Sequence, residues 1–237
     1  MDTSELTRKI LDRRAKRTDP LRIVQAGHPA LRRRAVAARG KLETELLLEL
    51  VDAMTITMRE APGVGLAAPQ IGLPLSLYVA EDRVAGAPDE DGDGVEDLGR
   101  EEEDDLLERR PLPLRVLLDP QIELLGTERV YAWEGCLSVS GWQSIVPRAR
   151  RLRLRATELL GDGAVREVDE EHKGWTARIL QHETGHLDGT LCHDLMVPRS
   201  LVEAGYTVHY ADLGEAVRLL GLRGEIAELG PGEIIAR

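Results

Sequence analysis

The pentapeptide His182-Glu183-Thr184-Gly185-His186 holds the side chains best suited to chemistry. Residues four apart share one face of a helix, so His182 and His186 can present both imidazoles to a single metal ion. Glu183 lies beside that pair, within reach of a water on the same metal, and can serve as its general base. HExxH also occurs by chance on ordinary surface helices. The reading therefore turns on a third ligand.

Two other segments bear on it. Gly63-Val64-Gly65-Leu66-Ala67-Ala68-Pro69-Gln70 sets small residues after a helix-ending proline and closes on a glutamine whose amide can donate. Alone it reads as a tight turn. Glu134-Gly135-Cys136-Leu137-Ser138 places a thiol at the end of a strand-like run, where a lone cysteine reads as a small buried hydrophobe. Taken with the pentapeptide, Cys136 supplies the missing ligand. Two nitrogens and one sulfur leave a fourth position open, as a catalytic site requires and a structural one does not.

These groups need a frame. Residues 41–60 read as a helix, with Leu42, Leu46, Leu50, Ala53, Ile56 and Thr57 at helical spacing, stopped by Ala61-Pro62-Gly63. Short runs at 75–80 and 114–118 suit buried strands, and 121–125, 128–133, 151–159 and 164–168 follow as further strands. Residues 151–156 alternate basic and apolar side chains, so one face is buried and one solvated. Gly161-Asp162-Gly163 is a hairpin turn. The helix bearing the pentapeptide spans 175–187, and a weakly patterned helix is expected over 202–220. The expected fold class is α+β, with mostly antiparallel sheets around a central HExxH metal-binding helix.

Of 237 residues, 42% are hydrophobic and 31% charged, and none is Phe, so the core must be built mainly from aliphatic side chains. No apolar run approaches the roughly 18 residues a membrane span needs. Residues 1–20 lack the apolar run of a secretory signal, and two cysteines suggest no disulfide framework, so the expected location is cytoplasmic. The net charge of −11 is concentrated in residues 86–110, where twelve acids face three arginines. Elsewhere 30 acids nearly balance 28 bases, and no nucleic-acid site is evident. The acidic segment has little hydrophobic periodicity and is expected to be a solvated insertion. Asp89, Asp91, Asp93 and Gly94 match half of a calcium loop, but Arg100 stands where the bidentate Glu belongs.

Together, residues 63–70, 134–138 and 181–186 resemble the peptide deformylases. The likeness extends to Ile23-Val24-Gln25-Ala26-Gly27-His28-Pro29-Ala30-Leu31-Arg32, Val146-Pro147-Arg148 and Leu187-Asp188-Gly189. It implies a domain over 21–198 that carries the acidic insertion at about 86–110. Residues 1–20 are expected to be an N-terminal helical extension and 199–237 a C-terminal extension. It further implies that Cys136, His182 and His186 hold one divalent metal, usually Fe(II), with Zn, Ni or Co also able to occupy such sites. Glu183 would be the general base, and Gln70 and the Leu137 N–H would stabilise the oxyanion formed at the formyl carbon. The implied substrate is the N-formyl-methionyl end of a nascent polypeptide, met in transient association with the ribosome. Val64, Trp175 and Ile179 match positions near the methionine pocket.

The family usually writes its metal helix HExDH; here Gly185 replaces the Asp, which predicts a working but less tightly held metal. Two rival readings remain. A metzincin-like zinc protease would need a histidine at position 192, which holds cysteine; His193 falls one residue late. Cys192 and His193 read more simply as a buried thiol and a strand-end or surface histidine. A metal-binding pseudoenzyme acting through its acidic loop would require the loss of a catalytic group, yet all six named residues are present.

Overall fold

The computed structural model describes residues 2–83, 107–210, 213–222 and 233–235. Helix α1 (Thr3–Leu11) starts on a reciprocal cap: Glu5 N–H donates to Asp2 Oδ1 at 2.8 Å, and Asp2 N–H donates back to Glu5 Oε2 at 3.2 Å. Helix α2 (Thr44–Glu60) ends just before Pro62-Gly63, as expected, and buries Leu46, Leu50, Ala53, Met54, Thr57 and Met58 along one stripe. Helix α3 (Gly174–Leu187) carries the pentapeptide, and a short α4 (Leu213–Leu219) lies near the C-terminus.

Among the described residues eight strands form one network: β1 (Val36–Ala37), β2 (Gly65–Ala67), β3 (Leu75–Asp82), β4 (Leu112–Gly135), β5 (Trp142–Leu159), β6 (Val165–Lys173), β7 (Val202–Glu203) and β8 (Glu233–Ile235). The main order is β1-β3-β4-β5-β6, with β2 on β3, β7 on β5 and β8 on β4. Two pairings are parallel, β1 with β3 and β4 with β8; the others are antiparallel. The fold is α+β with a mixed sheet, antiparallel in the main.

Strand β3 divides the core. Leu75, Leu77 and Val79 face α2, while Tyr78 and Ala80 face α3. Burial on both faces explains why this segment reads as a continuous apolar run without alternation. Leu50, Met54, Met58, Leu66, Leu75 and Leu77 are fully buried, each stabilising the fold by roughly 1.5–3 kcal/mol.

Three expected strands are one. The runs at 114–118, 121–125 and 128–133 join in β4, whose register against β5 shifts between Leu118 and Gln121 and between Leu125 and Arg129. Asp119 (φ 50°), Pro120 and Gly126 (φ 70°) look like strand ends in sequence, but the structure absorbs them as bulges. The Asp119 carboxylate uses its unusual backbone to accept the N–H groups of Ala38 and Arg39 at 2.6 and 3.1 Å.

The helix expected over 202–220 does not form. Val202 and Glu203 instead pair with Gln143 and Trp142 of β5, a 3-10 turn spans Ala204–Tyr210, and only α4 is helical. Tyr210 stacks on Trp133 with ring centroids 6.1 Å apart and accepts its indole N–H at 3.3 Å. Tertiary pairing has overridden a weak helical pattern.

Residues 84–106 lie outside the described residues, and with them most of the acidic insertion and its partial calcium-loop pattern. Its last residues, 107–110, are packed. Asp82 and Arg109 form a bidentate clasp at 2.7 and 2.8 Å across the two flanks. Glu108 receives Arg150 at 2.8 and 3.1 Å and Lys173 at 3.0 Å. This turn lies against Gly174 (φ 60°), where an added Cβ would sit 2.6 Å from Leu107 O, so α3 must begin on glycine. Among the described residues no helix is long and apolar enough to cross a membrane.

The Arg150 hydrogen bonds hold the Glu108 carboxyl at about 2, against 4.5 ordinarily, with burial opposing and Lys173 assisting. A carboxyl lowered on folding contributes stability that is complete above the unfolded value and lost as pH falls through the folded one. Glu108→Gln should therefore lower the urea midpoint at pH 7, with the difference from the parent shrinking between pH 4.5 and 2.

Candidate metal centre

Helix α3 sets Ala177, Leu180 and Leu187 into the sheet core together with Tyr78, Leu152 and Leu154. This packing holds His182, Glu183 and His186 against β2 and the end of β4. Cys136 follows immediately after β4. The Cys136 Sγ and a ring nitrogen from each of His182 and His186 lie within 4.8 Å of one another. His186 Nε2 is 3.4 Å from that sulfur.

The orientation of the His182 ring comes from Glu134, which is buried. Arg148 donates to both its oxygens at 2.9 and 2.8 Å, and Arg178 donates to Oε1. His182 Nδ1 lies 3.0 Å from Oε2. A carboxylate there requires an N–H at Nδ1, which leaves Nε2 to the metal side. Burial alone would raise the Glu134 carboxyl; Arg148, His182 and Arg178 hold it well below the usual range.

The donor set suits a divalent cation. Cys136 is lowered to about 5, first by a hydrogen bond from Cys192 and, against burial, by His182 and the Ser138 N–H, so it stands as a thiolate at neutral pH. His186 is lowered to about 3 by burial and by His182, which keeps its lone pair available. Burial would lower His182 too, but Cys136 and Glu134 raise it well above its ordinary value. The anions that hold a proton on this ring favour a metal in its place.

Glu183 is buried, and its Oε2 has no hydrogen-bond partner among the described residues. Burial pushes its carboxyl up, while His182, His186 and Arg148 pull it down. Its chain lies flat on Gly65, where an added Cβ would be 2.3 Å from Oε1. Gln70, in the 3-10 turn Ala68–Ile71, accepts the Ala67 N–H on Oε1 at 2.8 Å. That bond turns Nε2 toward Cys136, 3.7 Å from the sulfur. The Leu137 N–H donates to no group among the described residues, while its carbonyl accepts Gln25 Nε2 at 3.0 Å.

Gln70, Glu134, Cys136, Leu137, Arg178, His182 and Glu183 line one cleft of about 530 Å³, as do Val64, Trp175 and Ile179. The structure thus brings together Val64, Gln70, Cys136, Leu137, Trp175, Ile179, His182, Glu183 and His186. His193 is not among them: its Nδ1 lies 2.6 Å from Ser144 Oγ. Sequence reasoning gave no role to Glu134, Arg148 or Arg178, or to the contact of Cys192 with Cys136. Arg178 had one signal, a charge one helical turn before His182 that the apolar pattern leaves no room to expose.

A mixed sheet that delivers a thiolate to an HExxH helix inside a cleft is the geometry of a metal-dependent hydrolase. The polypeptide deformylase family profile matches residues 20–201. Peptide deformylase 3 of Streptomyces avermitilis is 45% identical over 203 residues, 84% of this chain and 83% of that protein. Peptide deformylase 1 of Streptomyces coelicolor is 47% identical over 182 residues, 77% of this chain and 76% of its own. The crystal structure of the class I type b peptide deformylase from Acinetobacter baumannii with Met-Ala-Ser bound superposes with a TM-score of 0.59 at 27% identity, covering 76% of this chain and 99% of that one. The chain belongs to the polypeptide deformylase family.

Gly65→Ala should displace the Glu183 carboxylate and lower kcat on the order of 10²-fold while bound metal, measured by elemental analysis, is retained. At Gly185 an added Cβ would meet only Thr190 O at 3.5 Å, an ordinary contact. Gly185→Ala should therefore stabilise the fold by about 1 kcal/mol, read as a higher melting temperature.

Proposed function

We propose that this enzyme removes the formyl group from the N-terminal formyl-methionine of newly made polypeptides, with Cys136, His182 and His186 as metal ligands and Glu183 as general base. The observation that carries the assignment of roles is the convergence of the three ligand atoms within 4.8 Å, in the same site as a buried Glu183 oxygen that has no hydrogen-bond partner among the described residues. A divalent metal held there supplies an activated water and a Lewis acid for the formyl oxygen. Thiolate and imidazole donors suit Fe(II), and equally Zn, Ni or Co; Fe(II) is the proposed native ion.

Glu183 accepts a proton from the attacking water and returns it to the amine nitrogen as the C–N bond breaks. Its burial raises the carboxyl above its ordinary value, which suits one group to both transfers. Gln70 Nε2 and the Leu137 N–H donate to the oxygen as negative charge develops on it. The Gln70 amide is already locked by Ala67, so no reorganisation is needed when substrate arrives. The apolar side of the cleft, with Val64, Trp175 and Ile179, takes the methionine side chain. Such a substrate is met in the cytoplasm, close to the ribosome.

The test is formate release from a formyl-Met peptide by protein purified without air under Fe(II). Glu183→Ala should abolish turnover while its metal content is unchanged. Gln70→Ala should lower kcat by about 10²–10³-fold. Absence of formate from the fully loaded parent enzyme would overturn the reading.

A further inference from the structure

The family match ends at residue 201, yet Ala204, three residues further on, lines the active-site cleft. Strand β7 pairs with β5 through Val202–Gln143 and Glu203–Trp142, and the Ala204 N–H donates to Gly141 O at 2.8 Å. The segment is held from both sides. Before it, the Ser200 hydroxyl accepts the Ile145 N–H at 2.9 Å; after it, Tyr210 stacks on Trp133. Leu213, Ala216 and Leu222 continue this packing in a cluster with Ile145 and Val197.

The cleft grades from buried to open. Gln70 and Glu183, at the reacting end, are almost fully buried, whereas Trp142 is 46% exposed and Ser140 and Gly141 are exposed beside it. Val139, Ser140, Gly141, Trp142, Gln143 and Ala204 line the open part, and none is charged. A peptide whose formyl end is at Glu183 must leave toward solvent.

We infer that Ala204 and the Trp142 side chain, set beside each other by the pairing of β7 with β5, form a wall that reads an apolar or aromatic side chain downstream of the formylated methionine. The inference rests on the deformylase reading and adds a specificity element supplied from beyond the family-matching region. An indole carried on a paired strand has its backbone already fixed and offers a stacking surface with only two side-chain torsions to order. The discrimination belongs in KM, because this wall is remote from the reacting carbonyl.

The test uses amidated peptides formyl-Met-Xaa-Ser and formyl-Met-Ser-Xaa with Xaa as Phe, Ser or Glu, following formate release by the full Fe(II)-loaded chain. The parent should favour Phe over Ser about three- to tenfold in kcat/KM at one of the two positions, through KM. Trp142→Ala should bring that ratio to about one and Trp142→Phe should keep it, with melting temperatures confirming that both fold. Ala204→Arg, which leaves Trp142 in place, should shift the preference at that position toward Glu. A parent ratio near one, or a Phe preference that survives Trp142→Ala, would sink the inference while leaving the deformylase reading intact. No formate from any peptide would remove both.

Discussion

One buried carboxylate organises the active centre. Glu134 sits at the end of β4 and accepts from Arg148 on β5 and from Arg178 and His182 on α3, so three elements meet on two oxygens. Burying those charges is costly, and the arrangement holds only because every donor is in place. Arg178 also donates to the carbonyls of Val146 and Val130. Removing any one member would leave another charge uncompensated in a dry interior. Sheet pairing and helix packing bring the elements near each other; this cluster sets the rotation of α3 and the aim of the His182 ring.

Around that cluster, geometry is fixed by close approach. Gly65 lets the Glu183 chain lie on the β2 backbone, and the Ala67 N–H holds the Gln70 amide in one of its two orientations. Neither arrangement waits for a ligand. Preorganisation of this kind lets hydrogen bonds count fully when charge appears on substrate oxygen. The Cys192 thiol does similar work from behind, stabilising charge on Cys136.

Much of the site could be read from the chain because its chemistry is written in short local patterns. HExxH needs only helical spacing, and Cys136 and Gln70 sit in segments whose small residues announce close backbone approach. Glu134 and Arg148 could not be read this way: their partnership joins positions 14 apart on neighbouring strands and is decided by register. Strand limits were misjudged where Asp119, Pro120 and Gly126 act as bulges, since a breaker and a bulge look alike until a partner strand is present. The tail was misjudged for the opposite reason. Its weak helical pattern was real, but β5 offered Val202 and Glu203 better hydrogen bonds.

The Asp82–Arg109 clasp ties together the two chain positions that flank residues 84–106. Once a loop's ends are pinned, each doubling of its length adds only about 0.6 kcal/mol of closure entropy. Whatever shape those residues take, their number hardly weighs on the fold. That position is thus a port in the chain, where whole sequences can be exchanged, lengthened or replaced by a foreign domain while the catalytic frame stays as it is.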